Sequence, residues 1–458
     1  MSLTGTLCAQ HGQQSNNPRL PMYVAPASDE GQKAIPSFQL APELELTLVA
    51  AEPLLCNGVA MALDEQGRIY VSETFRIKDG VFDTRGYMHW KDEDLACLTV
   101  EDRLAKYEKH LKAELPRYAK YSERIRLLSD DNKDGIYENS SVFAGGFSEL
   151  ADGIAAGVMP HDGSVGCANI PKLWRLRDED GDNAAEQRDA VFDGFGVHSS
   201  LIGHDLHGLV IGPDRRLWFS IGDRGFHVEN KEGETLAYPH EGAVLRCELD
   251  GSNLEVVHRG LRNPQELAFD NYGNLFTGDN NSDGGDRARL VQIVEGGDSG
   301  WRIGYQWLSD RGAWNREKMW WPYHPGQPAW IVPPILNFAD GPSGLTFDPG
   351  VGLPERYRDS LFLCDFRGGA SYSGIHAIKL APRGAGFELV RHQKPIWGIL
   401  ATDCEFGPDG SLYILDWVHG WDKTGKGRIY RLSRTNQRND MQLRASARLI
   451  ADDFSQST

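Results

Sequence analysis

The chain has 458 residues, with 65 acidic against 48 basic side chains and a formal charge of −17. That balance opposes binding to nucleic acid or to an anionic membrane surface, and no apolar run reaches the roughly 18 residues that span a bilayer. Glycine at 51 and tryptophan at 12 suit a turn-rich β fold with aromatic surfaces of carbohydrate size.

Seven cysteines, Cys8, Cys56, Cys97, Cys167, Cys247, Cys364 and Cys404, lie far apart with no C-x-x-C or C-x-x-C-H spacing. This excludes a covalent haem c and a compact zinc knuckle within the chain, and leaves both disulfides and buried thiols open. The N-terminus is too polar for a signal peptide, so the protein is either cytosolic or exported by a signal that this sequence lacks.

Residues 1–42, rich in Gln, Asn, Pro, Ala and Ser, have no sustained period and read as an extended lead-in. From residue 43 a β pattern begins with LELTLVA, followed by GVAMALDEQGRIYVSE, a strand, an Asp/Gly turn and a second strand. The unit returns as DGIAAGVMPHDGSV with IPKLWRL, HGLVIGPDRRLWFSIGD, PQELAFDNYGNLFTGD, PSGLTFDPGVGLPERYRDSLFLCDF and DCEFGPDGSLYILDW, six copies in all. Repeats of this kind, with further strands such as AVLRCEL and GRIYRL between them, predict an all-β, six-bladed β-propeller over 43–432. A β-sandwich is the alternative, but six similar units exceed what turn chemistry alone repeats.

Two insertions break the pattern. In 79–122, Thr99 and Asp102 have capping-box spacing, and Leu104, Tyr107, Leu111 and Leu115 recur at helical intervals before Pro116, which predicts a helix of about 15 residues. In 303–334, Trp307, Trp314, Trp320, Trp321 and Trp330 predict an aromatic wall or lid. Residues 433–458 form a polar tail.

Three acidic loops are candidate calcium sites. Asp130, Asn132 and Asp134 stand as D-x-N-x-D-G, and Asp178, Asp180 and Asp182 as D-x-D-G-D. Alternate oxygen ligands closed by a glycine turn suit a hard cation, and solvated Asp turns are the competing account. The third loop, DNNSDGGD, runs from Asp279 to Asp286. Catalytic candidates sit at strand ends. His204 and Asp223 flank the two strands of one hairpin and can meet at its open end, giving a base with an orienting carboxylate. His207 is expected to pack into the blade. Arg262, Asn263, Gln265 and Arg367 are polar groups placed to receive an anionic ligand.

The string H-x-x-x-x-L-V-I-G-P-D, I-G-D-x-G, L-R-N-P-Q-x-L-A-F, an acidic loop and E-G-G-D-S-G-W resembles the soluble quinoprotein glucose dehydrogenase and aldose sugar dehydrogenase family. It resembles more closely still the membrane-bound dehydrogenase propellers of planctomycete-type bacteria, often fused to a haem c domain. The resemblance covers about 43–432 and implies a periplasmic or secreted sugar or alcohol dehydrogenase that uses pyrroloquinoline quinone and calcium and passes electrons to a haem c protein. It implies His204 as base, Asp223 as its carboxylate, Arg262 and Asn263 as quinone contacts, and Arg367 in place of a cofactor-binding lysine. It departs where the family has a glutamine and this chain Ala151, and where an arginine pair falls on Leu400 and Thr402. Two rival expectations keep the pocket without the quinone: a calcium-assisted hydrolase or lyase on a sugar or lactone, and a non-catalytic glycan- or protein-binding propeller.

Overall fold

Each of the six repeated units becomes the two inner strands of one blade. The computed structural model describes residues 22–308, 313–318 and 331–435. The blades open with Gly58–Leu63, Ala155–His161, Leu206–Ile211, Pro264–Phe269, Pro342–Phe347 and Ala401–Phe406, and each of these strands neighbours the next around a ring. Antiparallel partners follow outward in every blade. The turn chemistry explains the repeat. In D-N-Y-G, Asp270 Oδ1 accepts from the amides of Tyr272 and Asn274, both at 2.9 Å, and Gly273 takes φ +82°, a region that favours glycine.

Closure of the ring required tertiary structure. The first strand of the β pattern, Leu44–Ala51, belongs not to the blade that follows it but to the last one, as the outer strand paired with Arg428–Arg434. The lead-in is also not wholly extended, since it carries a short helix, Glu30–Ala34, and a strand, Gln39–Leu40, that pairs with Gly386–Trp397. The core lies between blades: Leu206, Phe219, Ile221 and Phe226 pack with Ile170 and Phe195 of the preceding blade, all fully buried. Each such side chain contributes about 1.5–3 kcal/mol.

In the first insertion, Val100–Leu111 form a helix of 12 residues with both bonds of the Thr99–Asp102 capping box. It stops short of the expected length because Lys112 turns to φ +48° and Pro116 enters a separate short helix, Leu115–Tyr118. Of the second insertion, Trp307 and Trp314 are described and Trp320, Trp321 and Trp330 lie outside the described residues. The six cysteines from Cys56 to Cys404 are free and buried, and Cys8 lies outside the described residues. Among the described residues no helix is long and apolar enough to cross a membrane.

A channel of about 280 Å³ runs between the inner strands, and it is apolar except for Glu266, Asp403, Glu405, Thr346 and Cys404. Asp403 Oδ2 accepts from the Met61 amide at 2.7 Å and Glu405 Oε2 from the Leu63 amide at 2.9 Å, joining the last blade to the first. Burial pushes Asp403 up to about 7 and Glu405 up to about 8, and burial beside these two carboxylates pushes Glu266 well above the usual range.

Candidate functional site at one mouth of the propeller

Strands of a blade alternate in direction, so the start of each first strand and the end of each second strand share one mouth. His204 precedes Leu206–Ile211 and Asp223 follows Leu217–Ile221, two strands paired antiparallel with Leu206 opposite Ile221. The pair therefore meets. His204 Nδ1 lies 2.7 Å from Asp223 Oδ1, and both side chains are buried. Asp223 accepts further bonds from Ser200 Oγ at 2.6 Å and Trp301 Nε1 at 3.0 Å. Burial alone would raise its pKa, but the charge of and hydrogen bond from His204, with Arg262 and Ser200, bring it down to about 2. An ionised carboxylate only accepts, so Nδ1 carries the proton in this pair, and Nε2 is the ring nitrogen that exchanges a proton with a ligand. Nε2 has no hydrogen-bond partner among the described residues.

A cavity of about 10 Å³, enough for one water, is lined by Asp223 and Arg262 together with Ser200, Trp301, Tyr305 and Asp94. Asp94 comes from the first insertion, where it pairs with Lys106 and accepts from Tyr305 Oη at 2.9 Å. Arg262 stacks over Trp301 at 5.7 Å and reaches Asp283 at 3.2 Å, yet its buried Nη1 has no partner among the described residues. Asn263 Oδ1 is likewise buried and unpartnered.

The other candidates are not in that cavity. Arg367 reaches the same mouth but is held by Asp365 at 2.8 Å and Asp340 at 2.8 Å. Gln265 Nε2 donates to Gly203 O at 3.4 Å, and His207 is buried against Gly203 O and Ala156 O, as expected for a packing residue. Of His204, Asp223, Arg262, Asn263 and Arg367, only Asp223 and Arg262 line this cavity. Leu400 is fully buried and Thr402 Oγ1 donates to Gly58 O at 3.0 Å, so neither offers a charge to the mouth.

Asp279 and Asp286 do not act as a ligand pair here. Asp279 Oδ1 accepts from the amides of Arg262 and Asn263 at 2.9 and 2.7 Å while Oδ2 pairs with Arg289. Asp286 bonds Ser282 at 2.7 Å and Trp314 Nε1 at 3.2 Å. Asp279 instead fixes the turn that presents Arg262 and Asn263.

The two remaining acidic loops are built alike. Asp130 and Asp178 each accept from the amide five residues on, Asn132 and Asp180 from that two residues on, as do Asp134 and Asp182. Glu138 and Glu186 close each loop by accepting from the amides of Asp131 and Glu179. Ligand oxygens of Asp178, Asp180, Asp182 and Glu186 all lie within 4.8 Å of one another. The closing glutamates escape a sequence reading based on EF-hand spacing; the ninth-position Glu, common to both loops, is the available signal. Ser200, Trp301 and Asp94 were also missed, since nothing in local spacing ties them to Asp223. Both loops join third to fourth strands, at the mouth opposite His204.

Fold and site define a six-bladed propeller with a buried His–Asp pair at one mouth. Residues 30–436 match the family described as a domain of unknown function, DUF7133, and the chain belongs to that family. It is 34% identical over 124 residues to quinoprotein glucose dehydrogenase B of Acinetobacter calcoaceticus, an overlap of 21% of this chain and 26% of that relative. The chain thus spans about a quarter of the curated relative it matches. A Thermus thermophilus protein described as an oxidoreductase (glucose dehydrogenase) has a similar structure, with TM-score 0.52, 19% identity and coverage of 85% of this chain and 99% of that one. The pyranose dehydrogenase PQQ domain from Coprinopsis cinerea has TM-score 0.50, 12% identity and coverage of 87% and 97%. At such identities these likenesses establish the fold.

Proposed function

We propose that the protein is an extracytoplasmic sugar or alcohol dehydrogenase of quinoprotein type, with His204 as general base. One observation carries the reading: His204 Nε2 has no partner among the described residues while Asp223, at 2.7 Å, holds the opposite nitrogen. A base so oriented takes the proton of a substrate hydroxyl, and ionised Asp223 stabilises the imidazolium that results. Trp301 and Ser200 keep Asp223 in place through their bonds to its two oxygens.

The donor chemistry at the mouth fits a quinone in part of its outline. Arg262 Nη1, a buried donor without a partner among the described residues, would donate to an oxygen of pyrroloquinoline quinone, whereas buried Asn263 Oδ1 can only accept and so suits its pyrrole N–H. Arg367, spent on two carboxylates, adds nothing, and the cavity beside Asp223 and Arg262 has room for one water only. When bound, the quinone supplies an electrophilic carbon that accepts hydride from the carbon bearing the hydroxyl. Electrons would then leave to a separate haem c protein. Calcium in the loops 130–138 and 178–186 is structural in this reading, because both loops lie at the far mouth. That position also removes the metal from the hydrolase alternative.

Calorimetric titration of calcium-loaded protein with pyrroloquinoline quinone, followed by dye reduction with an aldose panel, tests the proposal. Micromolar or tighter quinone binding is expected, with turnover lowered about 10²- to 10⁴-fold in His204→Ala. Absence of quinone binding and of dye reduction would leave a binding propeller.

A further inference from the structure

The hairpin end that joins His204 to Asp223 carries a second pair of charges one residue further on. The side chains of Asp205 and Arg224 are 0% and 1% exposed, and Arg224 Nε lies 3.3 Å from Asp205 Oδ1. The backbone closes beside them, with the Gly222 amide donating to Asp205 O at 3.1 Å. A Cβ on Gly153 would collide with Asp205 Oδ1, so the preceding blade packs directly on the carboxylate. Arg224 fills the position that the string I-G-D-x-G leaves open, which makes the pair a property of this chain and not of the resemblance.

Two ions taken out of water stabilise a fold only when their remaining polar atoms are hydrogen-bonded. Here Arg224 Nε and both Asp205 oxygens have no hydrogen bond among the described residues, so stability alone does not account for the pair. The far end of the guanidinium does. Nη1 donates to His198 O and Nη2 to Leu201 O, both at 3.4 Å, and the His198 amide donates back to Arg224 O at 2.9 Å. The planar fork thus ties both ends of segment 198–201.

Between the two tied carbonyls sits Ser200, at φ +48°, a region that a residue with a Cβ occupies at a cost and keeps only where its surroundings impose it. In that conformation Ser200 Oγ donates to Asp223 Oδ1 at 2.6 Å, the same oxygen that lies 2.7 Å from His204 Nδ1. A further bond, from the Thr84 amide to Ser200 O at 3.0 Å, holds the middle of the segment and leaves its ends to Arg224. Contacts therefore run unbroken from Asp205 through Arg224, segment 198–201, Ser200 and Asp223 to His204. Once Arg224 releases the segment, Ser200 can relax to an ordinary φ, and its hydroxyl then leaves the oxygen that orients the imidazole.

We propose that Arg224, charge-balanced by Asp205, is a positioning residue that holds Ser200 on Asp223 and thereby fixes the His204 imidazole. Its effect on turnover rests on the dehydrogenase reading, whereas the positioning does not. The test reads the His204 Nδ1 proton of the full chain by NMR, assigned by its loss in His204→Ala, alongside dye reduction by the quinone-loaded protein. The wild type should show a downfield, slowly exchanging resonance. Ser200→Ala and Arg224→Gln should each move it upfield and speed its exchange, and the two together should do no more than either alone, because they act in one chain of contacts. Arg224→Lys should share the defect, since one ammonium cannot span both carbonyls. Asp205→Asn with Arg224→Gln leaves no buried charge unpaired, so it should fold and still show the defect. In the dye assay these variants should lose about tenfold in kcat with KM unchanged. Absence of the resonance from the wild type, an unshifted resonance in the folded Asp205→Asn/Arg224→Gln protein, additive effects of Ser200→Ala and Arg224→Gln, or full rescue by Arg224→Lys overturns the positioning role. Failure of dye reduction in the wild type and every variant, with the resonance pattern intact, overturns the dehydrogenase reading and leaves the positioning standing.

Discussion

Replacing Glu405 by Gln should stabilise the protein at alkaline pH and scarcely affect it in mild acid. Glu405 faces a channel whose other ionisable carboxylates are Glu266 and Asp403, and among the described residues no Lys, Arg or His side chain lines it. Burial beside Asp403 moves its pKa from 4.5 to about 8. A carboxyl whose folded pKa exceeds its unfolded one binds its proton more tightly when folded, so its contribution to stability falls as pH rises from 4.5 through about 8. Each unit is worth about 1.4 kcal/mol, but channel water screens the charge, which leaves about 2 kcal/mol at pH 8. Glutamine retains an oxygen for the Leu63 amide, now bonded at 2.9 Å, and cannot ionise. For a domain of this size the gain corresponds to about 2–4 °C in Tm at pH 8 and under about 1 °C at pH 5. Differential scanning calorimetry at both pH values measures it. A Tm difference independent of pH, or a loss at pH 8, would refute the reasoning.

Excess chelator should lower Tm, because ions held only by the folded Asp loops stabilise it by mass action, and Asp182→Asn with Glu186→Gln should remove part of that response. An unchanged melt would dismiss both loops as metal sites. Asp279→Asn should destabilise the fold by about 3–5 kcal/mol, since it strands buried Arg289 and loosens the turn that carries Arg262 and Asn263; denaturant unfolding measures it. Asp223→Asn should slow turnover by about tenfold to a hundredfold, less than loss of His204, by weakening the tautomer and orientation of the imidazole. Steady-state kinetics on the reconstituted enzyme read that ratio.

The repeat was legible because its cause is local. An Asp that accepts amides two and four residues on, followed by a glycine at positive φ, builds the turns at Asp64 and Asp270 without help from the rest of the chain, and alternating apolar residues then set the strand pairs. The His204–Asp223 contact was legible for the same reason: both flank one hairpin, so strand pairing alone brings them together. The helix at Val100–Leu111 announced its start in Thr99 and Asp102. Contacts between distant segments could not be read in this way. The pairing of Leu44–Ala51 with Arg428–Arg434, the reach of Trp301 to Asp223, and the placing of Asp94 from an insertion over the same cavity depend on how blades close into a ring. Asp279 illustrates the limit best: its position in an acidic loop suggested a metal, but the fold buries it against two backbone amides and Arg289. Arg367 was expected to be free for an anion until Asp340 and Asp365 converged on it. Local spacing determines which residues can share a turn or a hairpin, whereas the ring decides which charges are spent on one another and which remain for a ligand.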